Sequence, residues 1–145
     1  GQKFAEEHAN GKSLLPLFKS TLKKLSLLAI ATIPFFIFAP EIFGFVFGER
    51  WIEAGKYIRI LSPWIILIFI LSPLANIPVI FNRQKKAFII EIVNITSRCL
   101  VLIVGGYLLD IKITLLIFSL TNSAIIFYNF TWYYNLVKNQ EEINA

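Results

Sequence analysis

Residues 60–81 read ILSPWIILIFILSPLANIPVIF: 22 positions without one charged side chain, punctuated by Pro63, Pro73 and Pro78. At about 1.5 Å of rise per residue such a helix covers roughly 33 Å, enough to cross a hydrocarbon core about 30 Å thick. Helices in soluble cores are usually shorter and keep a polar face. Working outward, apolar stretches of similar length recur at 25–47, 87–109 and 113–137, separated by short charged connectors. The sequence therefore predicts an all-α integral membrane protein, a bundle of four transmembrane helices at about 25–47, 60–81, 87–109 and 113–137. A cytoplasmic amphipathic segment, 1–24, precedes them and a cytoplasmic tail, 138–145, follows.

Composition points the same way. Hydrophobic residues make up 57% of the 145 and charged ones 16%, with a mean hydropathy of +0.68, outside the usual range of soluble domains. The chain begins at Gly1 and contains no methionine, so it is expected to be a fragment of a longer protein. A lone cysteine, Cys99, and a lone histidine, His8, exclude a thiolate cluster and a histidine-rich metal site. His8 sits in the polar N-terminal segment and is expected to be solvated. No cofactor, metal site or enzymatic activity is expected, since no acid, base or ligand set clusters in the sequence.

Orientation follows from the basic residues. With four crossings, the N-terminus, the connector at 82–86 and the C-terminal tail share one side. That side carries Lys3, Lys12, Lys19, Lys23, Lys24, Arg83, Lys85, Lys86 and Lys138, against Arg50, Lys56, Arg59 and Lys112 opposite. The positive-inside bias puts both termini in the cytoplasm. The net charge of +5 then reflects attraction to anionic membrane lipids and not to nucleic acid. Trp51, Tyr57, Trp64 and Tyr107 read as an outer aromatic belt, and Phe81, Tyr128, Trp132, Tyr133 and Tyr134 as an inner one.

Along residues 13–24, Leu15, Phe18 and Leu22 recur at helical spacing while Lys19, Ser20, Lys23 and Lys24 share the other side. This predicts a surface helix that turns inward near Leu25, with Ser13 as cap and Pro16 in the first turn. Pro34 and Pro40 should bend the first span, and Pro63, Pro73 and Pro78 the second, which also carries Asn76. Each interior proline frees a carbonyl that hydrocarbon cannot satisfy, so the second span should face protein or water along part of its length. Gly105 and Gly106, ahead of the tight turn at 110–112, permit the last two helices to pack closely as an antiparallel pair.

The third span holds the deep charges, Glu91 and Arg98, with Asn94 between them at offsets of three and four that place all three on one helix face. Arg98 lies roughly 16 Å inward from Ala87, close to the midplane. A central arginine is unfavourable by about 2.5–3.5 kcal/mol on insertion scales, so it should meet a partner or a wet cavity. Two readings stay open: Glu91 and Arg98, bridged by Asn94, neutralise one another and lock the packing, or Arg98 offers a fixed cation to an anionic substrate. The fourth span adds Thr121, Asn122, Ser123, Asn129 and Thr131, which suit interhelical hydrogen bonds or contacts to sugar hydroxyls. Candidate substrate-binding residues are thus Arg98, Asn94, Glu91, Asn76 and Asn122.

At Phe47-Gly48-Glu49-Arg50-Trp51-Ile52-Glu53-Ala54-Gly55, with Ile60-Leu61-Ser62-Pro63-Trp64 and Ser72-Pro73-Leu74 beyond it, the chain resembles the Wzx-type oligosaccharide (O-antigen and polysaccharide) flippases of the MOP exporter superfamily. The likeness covers nearly the whole chain, including Pro40-Glu41-Ile42-Phe43 and Arg83-Gln84-Lys85-Lys86. The resemblance implies twelve to fourteen helices in two lobes around a cationic cavity, in the bacterial cytoplasmic (inner) membrane. It also implies transfer of undecaprenyl-pyrophosphate-linked oligosaccharide between leaflets. These residues would be the last four helices of the second lobe, and the partners would be the lipid-linked oligosaccharide, membrane lipids and the missing N-terminal transporter helices. Gly48, Trp51, Ala54 and Gly55 would then form a structural motif in an outer loop. Alternatives are a drug or cation antiporter of the same superfamily, in which Glu91 matters more, and a non-transporting assembly subunit of a glycan-synthesis complex.

Overall fold

A backbone in hydrocarbon must satisfy its own hydrogen bonds, which leaves the helix as the natural form for this composition. The computed structural model describes residues 2–144, apart from the side chains at 141, 143 and 144. Gly1 and Ala145, the outermost residues of the two expected cytoplasmic segments, lie outside the described residues. The described chain is all-helical: α1 (Gln2–Ala9), α2 (Leu15–Ile37), α3 (Ala39–Phe47), α4 (Ile52–Leu71), α5 (Ile77–Ile80), α6 (Gln84–Leu108) and α7 (Ile111–Asn144), with single 3-10 turns at Glu49–Trp51 and Ser72–Leu74. Four stretches, Leu15–Ile37, Glu49–Ile80, Gln84–Leu108 and Ile111–Gln140, are long and apolar enough to cross a membrane.

The first of these differs from expectation. No turn separates a surface helix from a span near Leu25; α2 runs unbroken through Lys19, Lys23 and Lys24 to Ile37. Charged side chains end a hydropathy window but leave backbone hydrogen bonds intact, so the helix has no reason to stop there. Its N-cap is Leu14, not Ser13, whose Oγ accepts the Leu15 N–H at 3.4 Å, while Pro16 occupies the first turn as expected. The break comes instead at Phe38, just before Pro40 opens α3.

The second span is broken as its prolines require. Pro63 sits inside α4, where its missing N–H would orphan the Arg59 carbonyl, and Ser62 Oγ donates to that oxygen at 2.8 Å. Pro73 falls in the 3-10 turn and Pro78 opens α5, so the helix is interrupted twice before Phe81.

Helices α3 and α4 form an antiparallel hairpin around Gly48, whose φ of 96° and ψ of 167° are open almost only to glycine. Trp51 packs its ring on Phe47, centroids 5.6 Å apart. At Gly55 an added Cβ would lie 2.5 Å from Pro40 Cα and 2.6 Å from the Ala39 carbonyl oxygen, so backbone meets backbone there. The run 47–55 is thus a turn and a close helix contact.

Helices α4 and α7 pack on each other most extensively, with α2 against both, α3 against α4 and α6 against α7. The α6–α7 hairpin is antiparallel as expected. Gly105 seats Thr114 at a distance a Cβ would occupy, whereas Gly106 faces open space. The Asp110 carboxylate accepts the Lys112 N–H at 3.1 Å and caps α7.

Both ends of the bundle are pinned. At one, Phe4, Leu14, Phe18, Leu74, Ile77, Trp132, Tyr133 and Val137 share the buried core. There His8 Nδ1 lies 2.9 Å from Gln140 Nε2 and its ring packs on Phe81, so His8 is half-buried and not free in solvent. Trp132 and Tyr133 are likewise core residues, while Lys86 caps the Trp132 ring at 4.6 Å. At the other end Glu53 bridges Lys56 at 2.9 Å and Lys112 at 3.0 Å, tying α4 to the α6–α7 turn. The N-terminal segment, the 82–86 turn and the end of α7 therefore gather at the same end.

Outside this seam the helices turn apolar faces outward, with Leu27, Ile30, Val93, Leu100, Ile103 and Phe127 exposed. Such a surface suits lipid as its surroundings. Gly55→Ala is expected to lower the apparent melting temperature of the detergent-solubilised protein, as overpacking by about 1–3 kcal/mol would. Gly106→Ala should leave it unchanged or raise it slightly. Equal behaviour of the two variants in a thermal-shift assay would contradict the close approach at Gly55.

Candidate functional site

The polar residues of α6 and α7 meet midway along the hairpin. Arg98, half-buried on α6, donates from Nε to Asn122 Oδ1 on α7 at 2.6 Å. Asn122 is fully buried and donates its own Nδ2 to the Phe118 carbonyl at 2.8 Å, which fixes the amide with its oxygen toward the arginine. The third element is α4: the guanidinium carbon lies 5.5 Å from the centroid of the Trp64 ring, and that ring meets Phe118 edge-on at 5.2 Å. Arg98 is thus held by a neutral amide and an aromatic face, with cation–π attraction adding to the hydrogen bond.

No carboxylate joins it. Among the described residues Arg98 forms no ion pair, and Glu91 forms none either. Seven residues separate the two, roughly 10 Å along the helix axis. Glu91 is exposed, and its one hydrogen bond comes from Asn94 Nδ2 at 3.5 Å, a long contact. Asn94 itself is buried, with Oδ1 lacking a partner. The neutralised Glu91–Asn94–Arg98 trio is therefore not what forms: one helix face carries all three, but the arginine turns to its neighbour helices.

Asn76 stands apart. It lies in the break between the 3-10 turn and α5, exposed, twelve residues beyond Trp64 and so roughly 18 Å further along the chain if helical. It belongs to the end of the bundle that holds His8 and Phe81. Gly48, Trp51, Ala54 and Gly55 belong to the α3–α4 hairpin described above. Thr131 is exposed and bonds back to the Phe127 carbonyl at 3.1 Å.

Trp64 and Ser119 complete the site in ways the sequence reading missed. Trp64 reads as an interfacial anchor by residue type, yet it packs over a midspan arginine. Ser119, Asn122 and Ser123 share one turn of α7. The hydroxyls of Ser119 and Ser123 and the Trp64 Nε1 are buried without hydrogen-bond partners among the described residues, as is Asn94 Oδ1. Polar atoms so placed favour a polar guest or water. A serine one turn before Asn122 was a visible signal of this seam; Trp64 carried none. Among the described residues no three His, Cys, Asp or Glu side chains gather to hold a metal.

What the arrangement offers chemically is a fixed positive charge. Nε is committed to Asn122, and the remaining guanidinium N–H groups have no partner among the described residues. These are the donors that grip a carboxylate or phosphate in parallel. No family model matches this chain, and neither does a curated protein or a solved structure at a significant level.

The Arg98–Asn122 pair gives a direct test. Asn122→Leu is expected to destabilise the protein by about 1–3 kcal/mol, because it strands a buried donor and a charge. Arg98→Leu in that background should recover part of the loss, giving a coupling of about 0.5–3 kcal/mol in a double-mutant cycle read by thermal melting. Additive losses would show that the two side chains do not depend on each other.

Proposed function

We propose that this chain is the C-terminal four-helix part of a polysaccharide flippase of the MOP superfamily. In this reading it sits in a bacterial inner membrane with both termini cytoplasmic, and helps carry polyprenyl-pyrophosphate-linked oligosaccharide to the outer leaflet. The observation that carries the proposal is Arg98: a midspan arginine held by Asn122 and Trp64, with no carboxylate against it among the described residues. A structural arginine in hydrocarbon is ordinarily paired, and an intramembrane charge without a counter-ion is suited to an anionic guest.

A flippase breaks no covalent bond, so it needs no nucleophile, acid or base. Its task is to replace water around a charged head group and to change which side the group sees. Arg98 would compensate pyrophosphate charge through its free N–H groups. Ser119, Ser123 and Asn94 would offer hydrogen bonds to oxygens and hydroxyls. The twice-interrupted segment from α4 to α5 would supply bending, as discontinuous helices do in other transporters. The outward apolar faces of α6 and α7 would meet lipid.

Replacement of Arg98 in the protein as the cell makes it tests this reading. Arg98→Gln is expected to reduce surface polysaccharide about tenfold or more, equivalent to about 1.4 kcal/mol or more of lost binding, with normal protein in the membrane fraction. Arg98→Lys, which keeps charge but loses the paired donors, should be intermediate. Unchanged polysaccharide would refute the proposal, altered drug or cation resistance would favour the antiporter, and loss of the protein itself would favour a packing role. Reporter fusions at Arg83 and Asp110 should give cytoplasmic and external signals respectively; the reverse would overturn the orientation.

A further inference from the structure

Between α2, α4 and α7, toward the end that gathers the termini, runs an open groove of about 390 Å³. Phe18, Leu22 and Ser26 form one wall, Leu67 and Ile70 the second, and Phe127, Phe130, Thr131 and Tyr134 the third. Its surface is nearly all hydrocarbon, with the Tyr134 ring packed against Phe18, centroids 6.1 Å apart. It shares no lining residue with the Arg98 seam.

The charges beside it decide what fits. Lys19 and Lys23 follow Phe18 and Leu22 by one residue, about 100° around the helix, and both lie within about 60° of Ser26 on the groove wall. Both are exposed, and among the described residues neither has a carboxylate at ion-pair distance. Lys24, by contrast, points at least about 120° away from every groove residue of α2. An apolar channel flanked on the adjoining face of α2 by two lysines with no ion pair among the described residues matches a molecule that is a phosphate at one end and a hydrocarbon chain along the rest.

We infer that this groove is a binding site for an anionic phospholipid, its phosphate between Lys19 and Lys23 and one acyl chain lying along Leu22, Leu67, Ile70 and Phe127. The basic turn at 82–86 marks the leaflet concerned, since it lies at the same end of the bundle. Lysines near a bilayer surface favour anionic over zwitterionic lipid in general; the groove converts that attraction into a fixed site, because the chain is seated between three helices. A lipid there would wedge α2 against α7 across a seam that has no side-chain hydrogen bond or ion pair among the described residues.

Native mass spectrometry of the detergent-solubilised protein, titrated with phosphatidylglycerol and with phosphatidylcholine of the same chains, tests the inference. Retention of one phosphatidylglycerol is expected with a preference of about tenfold or more, the order two lysines provide. The double variant Lys19→Gln, Lys23→Gln should abolish the preference, Lys24→Gln should keep it, and Leu22→Trp, which fills the groove, should lower retention of the lipid while all three surface lysines remain. Equal loss in Lys24→Gln, or undiminished binding in Leu22→Trp, would reduce the effect to general surface charge and overturn the site. Displacement of phosphatidylglycerol by an equimolar polyprenyl phosphate would overturn it too, by assigning the groove to that lipid instead.

Discussion

Hydrocarbon cannot accept or donate a hydrogen bond, and the architecture of this protein meets that constraint with local substitutes at several points where a simple helix fails. Pro63 removes a donor from α4, and the hydroxyl next to it takes over the stranded Arg59 carbonyl. The Asp110 carboxylate caps the first turn of α7, where N–H groups would otherwise be left open. Gly48 turns the chain with a backbone conformation other residues avoid, so α4 returns on α3 within three residues of 3-10 turn. Where the helices press closest, at Gly55 and Gly105, side chains are absent and dispersion forces act between backbones and small groups.

Arg98 is the point at which the same constraint is met only in part. Its insertion is unfavourable by about 2.5–3.5 kcal/mol, whereas a hydrogen bond to a charged group returns about 1.5–3 kcal/mol and an aromatic face about 0.5–2 kcal/mol. Those magnitudes balance, so Asn122 and Trp64 suffice to keep a cation in the bundle without a carboxylate. They do not saturate it: the guanidinium retains donors and its full charge. A carboxylate partner would have neutralised the site electrostatically; a neutral amide leaves it cationic.

Four apolar helices could be read from the sequence because the signal is additive over more than twenty residues, and the antiparallel α6–α7 pair because a turn of three residues allows nothing else. The unbroken course of α2 past Leu25 could not. Lys19, Lys23 and Lys24 look like a water boundary by hydropathy, yet a helix ends where its hydrogen bonds end, and those persist to Phe38. The face shared by Glu91, Asn94 and Arg98 was visible from spacing alone. Which of them would pair was not, because seven residues along one helix separate Glu91 from Arg98 by more than their side chains easily bridge, while Asn122, distant in sequence, lies directly across. Asn76 shares only residue type with them: it lies in the break before α5, toward the end of the bundle that holds His8 and Phe81 and away from Arg98.

Periodicity within a helix states which residues face the same way; it does not state what they face. That information sits in the packing around α7, where Gly105 against Thr114 and Arg98 against Asn122 belong to one antiparallel register. Once the glycine contact sets that register, the arginine is brought opposite the asparagine two turns below it, and α4, anchored above by Glu53 on Lys112, delivers Trp64 to the same depth. The cation's position therefore follows from the small residues near the opposite end of the hairpin from Lys86, with the exposed Glu53–Lys112 pair as a weak additional tie. A change at Gly105 acts on Arg98 without touching it, since the contact with Thr114 sets where along α7 the arginine arrives.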